Sequence, residues 1–475
     1  MPAFQLENTS LWKDVSTIVN SPANNTFFDY TATIHTALED YKAITLLSVD
    51  IVRDYHNNIG DQISAIFVIS FGDYVKRFYP FKNNLELTIA YIPKSSNISK
   101  TPNTNKLTKQ RYKMVFLPNE NPHIDVTDFS MMDKLTLDHM EPVNVRVQLL
   151  DRSLEPLRIK MTSGIYLNVK PETLLRTVLG NEANNILVDG KPSIDSIDIY
   201  PPDNTDIRKH VVIPNNTHVL SMPTFMQEKM MGVYSAGIGN YLQTYNSKKT
   251  LFVYPLYNTQ RFKTTQNTSK IIFYFMPKFR YKGIDNTYTQ DGNIIKVVCS
   301  SDKHYMDDGE TGYMDKGVGF IQADARSFMG KPVILDSNNV PQGSPAQIST
   351  YVANTSRDDG LNYAPNSQHA ISANPFLGYS EVTRRNVSKI DLMWDHSDSS
   401  LIYPGMPCQF VFLENGNLAT INGVVIYTHT IIAKTTKGLV NNLHVRNTFV
   451  SILAERRPKI TQADTSASVQ SPMPA

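Results

Sequence analysis

Charge is scarce in this chain: 19% of its 475 residues are Asp, Glu, Lys or Arg, and 46 basic against 44 acidic residues leave a net charge of +2. No Lys/Arg block runs longer than a pair or two. A protein that grips a phosphate backbone concentrates cations on one stripe, so nucleic-acid binding is excluded as the main task. Cysteine is scarcer still. Cys299 and Cys408 stand far apart, each in or beside an apolar run, with no partner at metal-ligand spacing. They read as buried thiols in a reducing compartment, not as a disulfide or a zinc site. No run approaches the ~18 apolar residues needed to cross a bilayer. Met1 to Asn20 lacks the basic, apolar and small-residue succession of a secretion signal. The expectation is a chain held in the cytoplasm until assembly, with no membrane insertion. Asn-x-Thr triplets such as Asn24-Asn25-Thr26 arise by chance in so Asn/Thr-rich a sequence.

What remains is apolar and neutral-polar. Hydrophobic residues make up 41% of the chain, enough for real cores, and the length fits roughly two to four domains. Much of the polar load falls to Asn, Thr and Ser, which tolerate burial against a partner far better than charge does. Val143, Val145, Val147 and Leu149 alternate with Asn144, Arg146 and Gln148, the period of a half-buried strand. Leu85, Leu87, Ile89 and Tyr91 repeat it. The polar stretch from Pro93 to Lys109 and the strand-like Tyr112 to Leu117 then complete a long hairpin. Strands without intervening helices, from Ala43 to Val169, imply a closed or sandwiched antiparallel sheet. A helix is expected from Pro171, with the stripe Leu174, Leu175, Val178 and Leu179 and a stop at Gly180-Asn181. A second should start after Ser221, its Phe225, Met226 and Met230 filling a core, and end at Gly232. Strands resume at Leu251 to Leu256, Ile271 to Met276 and Ile294 to Cys299. They return in Val387 to Trp394, Cys408 to Leu413, Gly423 to Ala433 and Leu443 to Leu453. Two strand-rich halves, each with a Tyr-Pro step (Tyr79-Pro80 and Tyr254-Pro255), fit two related β domains.

Chemistry-bearing motifs are missing. There is no His-Glu-x-x-His, no Gly-x-Ser-x-Gly elbow and no phosphate loop. The glycines of Gly232 to Gly239 follow a helix rather than a strand, the wrong context for a dinucleotide cradle, and read as a turn needing positive φ. Asp307, Asp308, Glu310 and Asp315, with His304 nearby, form the one weak candidate metal cluster. Its spacing does not match the every-second-residue oxygens of a calcium loop, and it reads as a solvated acidic loop. Trp394-Asp395-His396-Ser397-Asp398 sets a His among acids and a Ser, but neighbours along an extended segment point to alternating faces and cannot form a triad. A paired-carboxylate glycosidase, whose two acids can come from anywhere, is the surviving enzyme reading. No catalytic residue and no cofactor are expected.

Four stretches resemble the baseplate hub family of contractile-tailed bacteriophages, related to the base of type VI secretion spike proteins. The first runs from Val49-Asp50-Ile51-Val52-Arg53-Asp54-Tyr55 through Asn58-Ile59-Gly60-Asp61 and Phe71-Gly72-Asp73-Tyr74 to Tyr79-Pro80-Phe81 and Asn83-Asn84. The second is Val147 to Asp151 with Leu154-Glu155-Pro156-Leu157-Arg158. The third is Gly232-Val233-Tyr234, Gly237 to Tyr241 and Val253-Tyr254-Pro255-Leu256-Tyr257, and the fourth is Tyr403-Pro404-Gly405-Met406-Pro407 with Gly423-Val424-Val425 and His429. Their order along the chain is what is similar. The family-like structural positions are Asp54, Asp61, Tyr79, Pro80, Asn84, Gly232, Tyr234, Tyr254, Pro255 and Gly405.

The resemblance implies a mainly β, minor α (α+β) fold: two antiparallel, tube-like β-barrel domains with small α/β elements and an irregular insertion. The expected division is an N-terminal segment 1–42, a first barrel 43–169 and a small α/β linker 170–220. A second barrel spans 221–299 and 376–460, interrupted by the insertion 300–375 and followed by a disordered tail 461–475. It further implies a virion tail component that forms a homo-trimer, three copies presenting six similar barrels. The expected partners are a central spike protein, tail tube or tube-initiator proteins, and baseplate wedge proteins. The competing expectations are a tail-associated peptidoglycan hydrolase and another virion protein of tube, collar or receptor-binding type.

Overall fold

The structure, a computed structural model, describes residues 10–21, 25–95, 107–121, 141–266, 268–276, 286–300, 318–321, 351–356, 360–365, 374, 376–385, 387–414, 417–435, 443–455 and 459–461. The fold is mainly β with a few helices, as the sequence indicates. The chain enters through helix α1 (Ser10–Val19) and continues through β1 (Asn25–His35), β2 (Asp40–Lys42), β3 (Thr45–Asp54), β4 (Gln62–Ser70), β5 (Glu86–Ser95), β6 (Thr108–Phe116) and β7 (Pro142–Asp151). An α/β unit follows: α2 (Leu154–Ile159), β8 (Met161–Val169), α3 (Pro171–Asn185), β9 (Leu187–Val188), β10 (Lys191–Pro192), β11 (Ser196–Ile199), β12 (Arg208–His218), α4 (Met222–Lys229), β13 (Ile238–Tyr245) and β14 (Lys248–Pro255). Next come β15 (Lys270–Phe275), β16 (Tyr288–Asp291), β17 (Ile294–Cys299) and a three-stranded sheet of β18 (Val318–Ile321), β19 (Tyr351–Ser356) and β20 (Gly360–Pro365). The chain finishes with α5 (Phe376–Arg385), β21 (Val387–Trp394), β22 (Pro407–Glu414), β23 (Asn417–Lys434), β24 (Leu443–Glu455) and β25 (Lys459–Thr461).

Two closed rings of strands share one hairpin. The first ring runs β23-β3-β4-β7-β6-β5-β1-β24 and closes because β23 and β24 pair with each other. The second runs β17-β15-β22-β23-β24-β21 and closes through the Ser300–Met393 bridge, where each backbone N–H donates to the other's carbonyl (2.9 and 2.6 Å). Eighteen-residue β23 makes this possible. Its first half, through Val424, pairs with β22, and from Tyr427 it pairs with β3. At the changeover Ile426 is an extra residue in the ladder to β24. Side chains alternate strictly along a strand, so one inserted residue flips the parity. Before the bulge Ile421 and Val425, at odd positions, enter the second-ring core, with even-numbered Asn422 and Val424 buried as well; after it the buried residues are even (Thr428, Thr430, Ile432).

Each ring is filled rather than hollow. Val145, Val147 and Leu149 of β7 and Leu87 and Ile89 of β5 point into the first, as their alternation indicates, with Phe67, Tyr74 and Phe78. Ile271, Phe273, Val297, Phe410, Ile421 and Trp394 fill the second. Outside the second ring, Leu11, Val15 and Ile18 of α1 bury against Tyr274, Val298 and Val411. Each such side chain contributes about 1.5–3 kcal/mol. The α/β unit has its own core, in which Leu174, Leu175, Val178 and Leu179 of α3 meet Met222 and Met226 of α4. The methionines are core filling.

The partition along the chain differs from the sequence reading in particulars. Strand β1, placed in an N-terminal segment, is a first-ring strand pairing along β5. Strands β13 and β14, placed in the second barrel, form a three-stranded sheet with β11. Leu251 and Val253 of that sheet face the α/β core, while Phe252 and Tyr254 face the second ring. The second ring is also mixed, since β15 runs parallel to both neighbours. Helix α3 continues past Gly180-Asn181 because Ala183 is buried and anchors its last turn. Ser221 precedes α4 but makes no side-chain cap bond. The two Tyr-Pro steps are not equivalent: Tyr79-Pro80 lies in a short helical segment over the first ring, and Tyr254-Pro255 ends β14. Most of the insertion, including Asp307, Asp308, Glu310 and Asp315, and the tail beyond Thr461 lie outside the described residues.

Both thiols are buried, Cys299 against β15 and Cys408 in β22, and burial pushes each well above its ordinary pKa. A thiol-specific disulfide reagent at pH 8 should leave the native protein unlabelled and titrate two thiols once it is unfolded in guanidinium; rapid labelling of native protein would contradict this packing.

Candidate functional site

Where the two rings and the α/β sheet meet, the core changes from apolar to ionic. Strand β24 shows this along one face: Val450, Ile452 and Ala454 are buried in the second ring, but His444, Arg446 and Thr448 hold the same parity at the crossing. Arg446 is 3% exposed. Its Nε donates to the Tyr30 hydroxyl (2.8 Å), its Nη1 to Asp398 Oδ1 (2.8 Å), and its guanidinium lies over Phe28 at 3.6 Å. Burial works against the charge, and Tyr30 and Asp398 more than restore it, so its pKa lies above the ordinary value. Beside it a hydroxyl ladder, Ser397 to Thr448 (2.6 Å) and Thr448 to Thr430 (3.0 Å), stitches the β21–β22 connection to the shared hairpin.

A second ionic cluster sits beside the first and reaches the same turn one residue on, at Ser399. Arg53 of β3 donates through Nε to Asp61 Oδ2 (3.1 Å) and through Nη1 to the Ser399 carbonyl (3.3 Å). Asp61 Oδ1 accepts from the Tyr241 hydroxyl of β13 (3.0 Å). The Tyr55 hydroxyl donates to Gln243 (3.1 Å), whose amide donates to the Ile402 carbonyl (2.7 Å). Tyr254 donates to the Tyr55 carbonyl (2.8 Å). Thus β3, β13, β14 and the Ser399–Ile402 turn are held by one polar network. Burial pushes the Tyr55 phenol up to about 12 and Tyr241 and Tyr254 higher than ordinary as well, so these phenols are neutral donors at pH 7. Buried polar groups that are fully partnered fix geometry, and removing one partner leaves an uncompensated charge.

The family-like residues divide between this junction and its supports. Asp61, Tyr254 and Gly405 belong to the junction. Gly405 has φ +67°, and a Cβ there would lie 2.2 Å from the Tyr254 ring, so the position requires glycine. Pro255 pairs with Ile238 at the end of β14. Asp54 ties the turn after β3, accepting the N–H groups of His56 and Asn57 (both 3.0 Å). Tyr234 donates to the Tyr200 and Val253 carbonyls, binding α4's end to the sheet. Gly232, at φ +74°, leaves room for Phe376 of α5. Tyr79, Pro80 and Asn84 are remote: Tyr79 packs on Tyr74 and Phe116 over the first ring, and the Asn84 N–H donates to Phe81. In the segment Trp394–Asp398, Ser397 bonds to Thr448 and Asp398 to Arg446, so no nucleophile–base pair forms. Among the described residues no group of three His, Cys, Asp or Glu side chains converges in a metal-holding arrangement, and no helix is long and apolar enough to cross a membrane.

Sequence reasoning passed over Arg446. Its signal is legible in hindsight: in Leu443 to Glu455 a cation falls on the parity that Val450, Ile452 and Ala454 assign to the core.

Two substitutions test the junction. Arg446→Met leaves Asp398 without its cation and should cost about 3–5 kcal/mol in denaturant unfolding, whereas Arg446→Met with Asp398→Asn should cost less than the sum of the single changes. Gly405→Ala combines backbone strain with a displaced Tyr254 ring and should cost roughly 2–4 kcal/mol by the same measurement.

No protein-family model matches the sequence, and no curated protein matches it. Solved structures similar to the chain include a tail protein from Neisseria meningitidis MC58, with 9% identity and a TM-score of 0.41 over 90% of this chain and 96% of that one. A 43 kDa tail protein of prophage MuSo2 from Shewanella oneidensis gives 6% identity and a TM-score of 0.39 over 89% and 96%. An E. coli type VI secretion system component, described as structurally similar to the T4 bacteriophage tail proteins gp27 and gp5, gives 8% identity and a TM-score of 0.38 over 90% and 76%. These neighbours are two tail proteins, one of them from a prophage, and a type VI secretion system component; with TM-scores below 0.5, the functional reading rests on this chain's own residues.

Proposed function

We propose that the chain is a non-enzymatic structural subunit of a phage-type tail baseplate hub, assembling as a trimeric ring that joins a central spike to the tail tube. One observation carries the assembly reading. The two-stranded ribbon of β8 and β12 presents Ile165, Leu167 and Val212 to solvent at 72%, 58% and 57% exposure, with Met161, Ile159 and Ile207 around them. Its opposite face, with Val211 and Ile213, is already buried in the α/β core. A ribbon apolar on both faces, with no further strand paired to either edge among the described residues, is an assembly surface: it exposes an aggregation hazard until a second molecule covers it.

Two further features favour a mechanical role. Each chain supplies two strand rings in one body, so three chains present six, matching a threefold spike to a sixfold tube. The junction spends its buried charges on linking elements, with no paired nucleophile, general base or facing carboxylates. In assembly the ribbon seats on a neighbouring copy, and the hairpin common to both rings passes load between them during contraction. The spike, tube and wedge proteins are the partners of this reading, and the virion tail is its location.

Sedimentation at micromolar concentration should give three times the 53.6 kDa chain mass, alone or with a spike partner. Ile165→Ser with Leu167→Ser and Val212→Ser should return a monomer with an unchanged melting temperature. A wild-type protein that stays monomeric and binds no tail component would overturn the reading, as would release of muropeptides from peptidoglycan.

A further inference from the structure

A groove of about 770 Å³ opens along the margin between the three-stranded sheet and the second ring, within the range of small-ligand and peptide sites. Its wall contains a cation that the junction does not use. Arg261, in a helical turn after β14, is 3% exposed, and its guanidinium lies 4.4 Å from the Tyr200 ring centroid. Its Nη1 donates to the Gly405 carbonyl at 2.6 Å, but Nε is buried without a partner and no carboxylate lies within ion-pair distance among the described residues. The other two arginines buried in this region each hold an aspartate. A buried cation left facing only a neutral carbonyl and a ring is costly, and an anion offsets that cost. With Nη1 occupied and Nε buried, Nη2 is the guanidinium nitrogen left to meet an anion from the groove, through a charge-assisted hydrogen bond. The Thr265 hydroxyl, on the same groove, is also buried without a partner.

The second observation concerns the other wall. Strand β11 pairs with β14 alone among the described residues. Ser196 to Pro201 line the groove together with Phe252, Val253 and Tyr254 of β14, so its wall is the margin of the sheet at which β11 is the outermost strand. An unpaired strand edge is a template for an extended chain. Beneath it, Tyr403 stacks on Phe252 with centroids 5.8 Å apart, an apolar floor for the side chains of such a segment.

We infer that this groove binds an extended, carboxylate-bearing polypeptide segment of a partner protein, which adds a strand to β11 and sets an Asp or Glu side chain against Arg261. The ligand class follows from the two unmet demands: backbone groups for the strand edge and one anion for the guanidinium. This inference does not depend on the trimeric reading, and a monomeric protein would carry the groove equally.

The test uses the full chain and two fluorescein-labelled peptides of strand-favouring sequence, Thr-Val-Asp-Val-Thr and Thr-Val-Asn-Val-Thr, each capped at both ends. Anisotropy titration should show the Asp peptide binding at least tenfold tighter than the Asn peptide, with the preference shrinking as salt is raised. Arg261→Gln, whose amide keeps a donor for the Gly405 carbonyl, should abolish the preference without changing the melt. If that variant unfolds, the comparison of the two peptides on wild-type protein decides alone. Equal binding of both peptides, or binding of neither up to millimolar protein, would overturn the inference. So would displacement of the Asp peptide by inorganic phosphate at concentrations where acetate has no effect.

Discussion

Everything in this architecture depends on one hairpin belonging to two rings at once. Strands β23 and β24 each change lateral partner partway along, from β22 to β3 and from β21 to β1. A crossing of this kind is a poor place for a purely apolar core, because side chains there face neither ring interior fully and backbone groups turn away from their ladders. The chain answers with the bulge at Ile426, the threonine ladder, and two neighbouring guanidinium–aspartate pairs. Apolar burial makes each ring; directional bonds fix how the rings sit together. An ion pair in this setting adds little net stability against an apolar alternative but specifies geometry.

That division of labour separates two kinds of surface. At the junction, the buried arginines Arg53 and Arg446 are each paired with an aspartate. The β8–β12 ribbon and the Arg261 groove are unsatisfied, one in apolar area and the other in charge and strand pairing. Low overall charge suits such a molecule, since neutral Asn, Thr and Ser faces can be covered without stripping ions of water.

Much of the fold was legible in the residues. The alternation in Val143 to Leu149 and Leu85 to Tyr91 placed both strands and their buried faces, and the apolar stripe after Pro171 placed α3. Membership of the rings was less legible, for a physical reason. Period two tells which face of a strand is buried but not which strand lies beside it, so β1 and the β13–β14 pair could not be assigned to sheets from their own sequence. A bulge is worse than silent, because the parity flip at Ile426 makes one continuous strand look like two patterns out of phase. Of the family-like positions, Asp61, Tyr254 and Gly405 meet at the crossing, while Tyr79, Pro80 and Asn84 support the first ring from afar. Arg53 lay within the first quoted stretch, but its role depends on Ser399, brought close by the fold across 346 residues.

The central claim is that the shared hairpin makes both rings one cooperative body, and native-state amide hydrogen exchange tests it most directly. Slowly exchanging amides of β3 and β4 in the first ring, and of β21 and β22 in the second, should open with the same free energy and the same denaturant dependence as those of β23 and β24. If one ring exchanges through an opening that leaves the other protected, the rings are independent domains and the account is wrong.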